Sequence, residues 1–311
     1  MPNFGMLYSR IQQEVPIPEF APAVEEMGFD SVWVSEGLVN ELPQLDVVVA
    51  LQAFADHTKA ISVGTCVLLL PLRNPVLLAK EIGSIDVLSH GRVILGVGVG
   101  GSVVGNSGNA SFEATGIPLK ERGDRADEGL QILRELWSGE RVSHSGRFHH
   151  FKDIVMEPPP HQRPHPPLWA GQGNAPRVLE RVARYCDGWV PASVTPGEYA
   201  KAWTRIEEYL AESNRIGTEL TKALHLYLSL DVDAENARRV AHRTLSDRYD
   251  FEATLAPDEC YAFGTPDDCI KSIQRFVDVG VTDFVFNITR PLPEVFGQIG
   301  WFQSDVLPAF R

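Results

Sequence analysis

The chain has 311 residues, 44% of them hydrophobic and 22% charged, enough to bury a large core without disulfide or metal staples. A formal charge of −13 repels nucleic acid and anionic membrane at long range, so neither is expected as a partner. No run approaches the roughly 18 apolar residues of a spanning helix, and Met1-Pro-Asn-Phe-Gly has no basic segment before an apolar one, so the expected location is cytoplasmic.

Strand patterns are predicted at 4–8, 31–35, 61–70, 93–98, 168–171, 188–191, 225–232 and 283–288. Helical patterns fall between and after them, at 18–27, 44–57, 75–89, 119–137, 175–185, 196–213, 266–279 and 292–309. Eight alternating units predict an α/β fold of the (β/α)8 TIM-barrel class, one domain over 1–311, with insertions after strands 4 and 7. An open doubly wound sheet, which usually needs fewer units, is the alternative.

Three segments break the alternation. Residues 100–116 are rich in Gly, Ser and Asn and are expected to form a long loop, either a lid or plain solvated chain. Residues 144–167 hold five of the nine histidines among prolines. His149 and His150 would point to opposite faces of a strand, so a short strand pair and a stiff connector are expected there, with no metal site. Residues 233–260 are charged and helical in part. Cys66, Cys186, Cys260 and Cys269 form no Cys-x-x-Cys pair and are expected to be reduced structural thiols.

Gly96-Val-Gly98-Val-Gly-Gly101 formally satisfies G-x-G-x-x-G after a strand. A dinucleotide fingerprint needs a helix at the glycines, and Ser102 to Ser111 has loop composition, so nicotinamide binding is not expected. The glycines instead permit close approach of a ring or a backbone to the strand, Gly98 at its end. Gly171-Gln172-Gly173-Asn174 follows an apolar strand and opens an amphipathic helix, leaving backbone N–H groups where a phosphate is favoured. The alternative is a simple turn with Asn174 as N-cap. Glu36 ends strand 2 on the side where barrel active sites lie. It is the catalytic candidate, a general acid or base tuned by burial, or else a hydrogen-bonding partner of cofactor or backbone. Arg10 and Arg73 end strands 1 and 3 and, with Asn106, are the substrate-binding candidates; Arg73 alternatively pairs with a rim carboxylate. Ser193, beyond strand 6, joins the cofactor-binding candidates.

Gly64-Thr-Cys-Val, Leu70-Pro-Leu-Arg-Asn-Pro75, Leu88-Ser-His-Gly-Arg92 and Leu95-Gly-Val-Gly-Val-Gly100 together resemble the luciferase-like family of flavin and deazaflavin oxidoreductases. The resemblance implies a TIM barrel whose strand 3 carries a non-proline cis peptide at Cys66-Val67, with a bulge supporting the cofactor ring. It implies that strand 4 ends beside the ring and that the loop at 171–174 takes the cofactor phosphate, although Gly-Gln-Gly replaces the common Gly-Gly. Glu36 matches an acidic residue that precedes a catalytic histidine in some members, and here Gly37 stands in that histidine's place. The implied activity is hydride transfer between coenzyme F420 and a small organic substrate. The alternatives are an FMN-dependent two-component monooxygenase served by a separate flavin or deazaflavin reductase, and a non-catalytic flavin-binding protein. A homodimer is also expected.

Overall fold

In the computed structural model, residues 1–9, 15–39, 43–100, 105–171, 173–249, 256–291 and 294–311 are described. The chain runs β1 (Asn3–Tyr8), α1 (Ile17–Glu26), β2 (Ser31–Val34), α2 (Val47–His57), β3 (Ser62–Leu69), α3 (Pro75–Leu88), β4 (Val93–Gly98), α4 (Gly105–Thr115) and α5 (Arg122–Trp137). It continues through β5 (Val142–Ser145), β6 (His150–Ile154), β7 (Leu168–Gly171), α6 (Pro176–Tyr185), β8 (Gly188–Val190), α7 (Pro196–Glu212), β9 (Thr221–Leu230) and α8 (Ala234–Tyr249). The last elements are β10 (Ala262–Gly264), α9 (Pro266–Asp278), β11 (Asp283–Ile288) and α10 (Val295–Asp305).

Strands β1, β2, β3, β4, β7, β8, β9 and β11 pair in that order, all parallel, and β11 returns to β1, closing the expected eight-stranded barrel. Helix starts follow local chemistry. Asn74 accepts from the Val76 and Leu77 amides ahead of Pro75, and Thr195–Glu198 and Thr265–Asp268 form capping boxes.

Two tryptophans fill the barrel. Trp33 and Trp169 stack with centroids 5.1 Å apart, inside a cluster with Leu7, Cys66, Val190, Ala223 and Val285. Glycine is required opposite them, since a Cβ on Gly64 would lie 2.3 Å from the Trp33 ring and one on Gly188 2.6 Å from Trp169. The alternate residues of the same strands, such as Phe4, Met6, Val32 and Val63, face the helices and form the main core.

The expected strand pair is the antiparallel hairpin β5–β6, which begins at Val142, two residues before the 144–167 segment. Its turn is docked on α5 by Glu128, which accepts from the amides of Arg147, Phe148 and His149. Three expectations need correction. The segment 105–115 is a helix, not a loop: its composition disfavours helix, but Phe112 is buried against Gly100, and the Ser111 hydroxyl, also buried, accepts from the Val39 amide at 3.3 Å. The loop argument against a dinucleotide site therefore falls. A better one replaces it, because β4 lies inside a closed barrel between β3 and β7, where there is no topological switch point for a dinucleotide. Strand 7 begins at Thr221 rather than 225, because Thr221 and Lys222 pair with Gly188 and Trp189. Strand β10 was not anticipated; its three residues pair with the end of β9.

Among the described residues no helix is long and apolar enough to cross a membrane.

Candidate active site

The carboxyl ends of the strands bring Glu36, Val67, Gly98, Gly171 and Ser193 to one rim, as the sequence places them. Arg10 and Gln172 lie outside the described residues, and for Asn106 only its position in α4 is described.

β2 and β3 run in register with Val34 opposite Thr65, so the chain just beyond them stays adjacent. The Glu36 amide donates to the Val67 carbonyl at 3.3 Å. One carboxylate oxygen of Glu36 accepts from the Leu69 amide, and the other takes Arg73 Nε at 3.0 Å together with Arg73 Nη2. The Glu36 side chain is only 4% exposed. Arg73 Nη2 also reaches Asp46 Oδ2 at 2.6 Å, and Asp46 is the N-cap of α2, accepting from the Val48 and Val49 amides.

Burial raises the Glu36 carboxyl above its ordinary value, with Arg73 and the Leu69 amide opposing the rise. Burial works the same way on Asp46, but there Arg73 and the helix amides prevail and hold it below. Arg73 therefore pairs with carboxylates, as its rim alternative required, and both oxygens of Glu36 are engaged. Asp46, the third member, was missed. No local motif marks it beyond an Asp ahead of an apolar helical run.

Within the span that Glu36 fastens, the Cys66–Val67 peptide is cis, where the resemblance puts it. The β3–β4 register shifts between Thr65 and Leu68. Val67 is partly exposed and lies against Gly171, where a Cβ would come within 2.3 Å of it; a Cβ on Gly96 would come within 2.1 Å of the Thr65 carbonyl. The result is an apolar ledge with glycine on its far side. Burial pushes the Cys66 thiol up to about 12, so it stays protonated and is no nucleophile.

The β7–α6 turn has the features of an anion site. Ala175, not Asn174, is the N-cap of α6, with no side-chain cap and with Pro176 following. Residues 173–175 are exposed, Gly173 has φ +26°, and a Cβ there would meet nothing within 4 Å. Arg177 and Arg181 are paired with Asp124 and Asp127 of α5, so positive potential at this turn comes from the helix backbone.

Opposite β2 and β3 the rim is aromatic and polar. Ala223 belongs to the barrel interior, so alternation puts His225 and Tyr227 on the same face, and both are partly exposed. Their rings are 4.8 Å apart. Tyr227 lies 6.0 Å from Tyr261, whose hydroxyl is hydrogen-bonded to Ser193, and Ser193 has φ +53°. Sequence reading passed over His225 because strand 7, begun at 225, gave no interior residue from which to phase the alternation.

A cis bulge on β3, an open helix start after β7 and a glycine-lined β4 occur here together, and the family model for luciferase-like monooxygenases matches residues 12–283. The chain belongs to that family. Among similar proteins, the F420-dependent glucose-6-phosphate dehydrogenase of Amycolatopsis mediterranei is 28% identical, over 94% of this chain and 93% of its own. The 5,10-methylenetetrahydromethanopterin reductase of Methanolobus tindarius is 26% identical, over 91% and 93%. The solved structure of an F420-dependent secondary alcohol dehydrogenase with an F420-acetone adduct superposes with a TM-score of 0.82 at 21% identity, covering 100% of this chain and 99% of that one. Within the luciferase-like family, this chain is thus similar over more than nine-tenths of its length to oxidoreductases.

Proposed function

We propose that this protein is an F420-dependent oxidoreductase that interconverts a small alcohol and its carbonyl compound. The observation that carries the reading is the uncapped, exposed start of α6 beside the Val67 ledge. Phosphate and planar ring of one cofactor are thereby offered adjacent sites of suitable chemistry. The residues fit the group. Gly173 leaves open space where a side chain would stand, and Val67, partly exposed and backed by the buried Gly171, presents apolar surface. When bound, the deazaflavin supplies hydride transfer; the chain positions it, excludes water and handles the proton. The choice of alcohol and carbonyl follows the dehydrogenases similar to this chain, a glucose-6-phosphate dehydrogenase and a secondary alcohol dehydrogenase.

Glu36 and Arg73 are assigned here to holding the β3 ledge rather than to the chemistry or to the substrate. A homodimer through α2 and α3 is proposed as well, since exposed Leu45, Val49 and Leu77 flank the Arg73–Asp46 contact; sedimentation velocity tests it. The cofactor is tested by titrating purified protein with F420 and, separately, with reduced and oxidised FMN. Tight F420 binding with weak FMN binding is expected, and tight FMN binding with none of F420 overturns the reading.

A further inference from the structure

We infer that His225 is the acid–base residue of this enzyme, the group that takes and returns the proton of the substrate oxygen; this rests on the F420-dependent reading above. The reaction needs such a group, and β2 does not present one. Gly37 follows Glu36, and Glu36 is buried with both oxygens held by Leu69 and Arg73. Of the nine histidines, His225 is the one carried by a barrel strand.

Its placement suits the role. Ala223 packs with Leu7 and Trp33 inside the barrel, and His225 is the next residue up on that face, toward the carboxyl ends. Its amide donates to the Pro191 carbonyl at 2.9 Å and Ala192 pairs beside it, so the end of β8 fixes its backbone. Tyr227 packs against the imidazole, backed by Tyr261, which is tied to Ser193. Among the described residues, those two tyrosines, on its own strand and just before β10, are the titratable groups whose rings pack toward it. The neighbouring positions on and just beyond β8 and on β11, Val190, Ala192, Val285 and Asn287, carry no charge.

In the oxidative direction the substrate O–H bond breaks and its proton passes to the neutral imidazole of His225. The oxygen electron pair forms the C=O bond, and the carbinol hydrogen leaves with its bonding pair as hydride, for which the oxidised deazaflavin is the acceptor. In reduction the imidazolium returns the proton. Oxidation therefore slows as pH falls and the imidazole protonates, whereas reduction slows as pH rises.

The test uses F420-loaded wild type, His225→Asn and His225→Gln, with 2-propanol and acetone as probes. Both variants should bind F420 within threefold of wild type, lose about 10²-fold to 10⁴-fold in kcat, lose the acid limb of oxidation and regain part of the rate with added imidazole. Unchanged rate and limb overturn the inference. A second readout needs no turnover: diethyl pyrocarbonate treatment of the loaded wild type, followed by peptide mass spectrometry. His225, a partly exposed residue whose Nε2 is itself covered, should be modified, while His165, 8% exposed, serves as the protected control. An unmodified His225 overturns the inference whether or not the probes turn over. Failure of wild type to bind F420 removes the cofactor reading and this inference with it; normal binding with an inert His225 removes this inference alone.

Discussion

At the scale of single residues, the contacts of Glu36 separate two roles that its position alone leaves joined. A carboxylate that accepts from Leu69 and Arg73 is a fastening for β3, and its replacement should read out in stability first. Glu36→Gln keeps one acceptor but loses the charge pairing, and Arg73 keeps Asp46. A loss of about 1–3 kcal/mol in urea unfolding is expected, with weaker F420 binding and a pH–rate limb that survives. Disappearance of that limb with stability unchanged would return Glu36 to the chemistry. Asp231 offers a test of opposite design. It accepts from Arg290 Nη2 at 2.7 Å, and that guanidinium is buried, held also by Ser229 and the Leu230 carbonyl. Burial disfavours the Asp231 carboxylate, but Arg290, the Asp233 amide and Asn236 outweigh it and hold the group below the usual range. Because the folded value is depressed, its contribution is present above the unfolded value of about 3.9 and is lost as pH falls through the folded value. Asp231→Asn should therefore cost about 3 kcal/mol at pH 7 by leaving a buried guanidinium with the more distant, half-exposed Glu294 carboxylate at 3.4 Å, and the gap from wild type should close in acid.

At the scale of elements, α6 tests the anion site independently of the chemistry. A side chain at Gly173 meets no atom within 4 Å, so Gly173→Asp perturbs the fold only through its positive φ, a cost of about 1 kcal/mol. An added carboxylate at an uncapped helix start even suits the helix, yet it fills the place of a phosphate and repels it. Near-native melting with F420 affinity reduced at least 100-fold is expected by fluorescence titration, and unchanged affinity places the phosphate elsewhere. The same elements mark what could be read in advance. Asn74-Pro75, Thr265-Pro266 and Gly171 to Pro176 carry their structure in local chemistry, caps and punctuation that act within a few residues, and they were legible. α4 was not, because Gly105 to Thr115 gains helix from burying Phe112, a tertiary contact that overrides weak propensity. Nor was β10, since three residues become a strand only when the end of β9 is there to pair with them. The engagement of Glu36 by Arg73 was hidden for a related reason. It depends on the β2–β3 register, a pairing between segments some thirty residues apart.

At the scale of the whole molecule, closure of the barrel depends on what fills it, and here two stacked indoles take the centre, with Leu7, Val190 and Val285 around them. Strands must then give up side chains where the indoles lie, which accounts for Gly64 facing Trp33 across the β2–β3 pair. A reciprocal prediction follows. Trp33→Ala removes the Trp169 stack and opens a cavity, at a cost of about 3–5 kcal/mol. Gly64→Val alone places its Cβ 2.3 Å from a buried ring, with Ser31 holding the indole nitrogen at 2.8 Å, so it should also be severely destabilising. Combined, valine occupies space that the indole has vacated and suits a strand better than glycine, so the double variant should be more stable than either single one. Urea unfolding of the four proteins checks this, with F420 affinity as the companion measurement, since the Val67 ledge stands on the strand being repacked. A favourable coupling of at least 2 kcal/mol is expected. Additive losses would mean that the indole and the glycine do not compete for the same space, and that the barrel is closed by its outer helices instead.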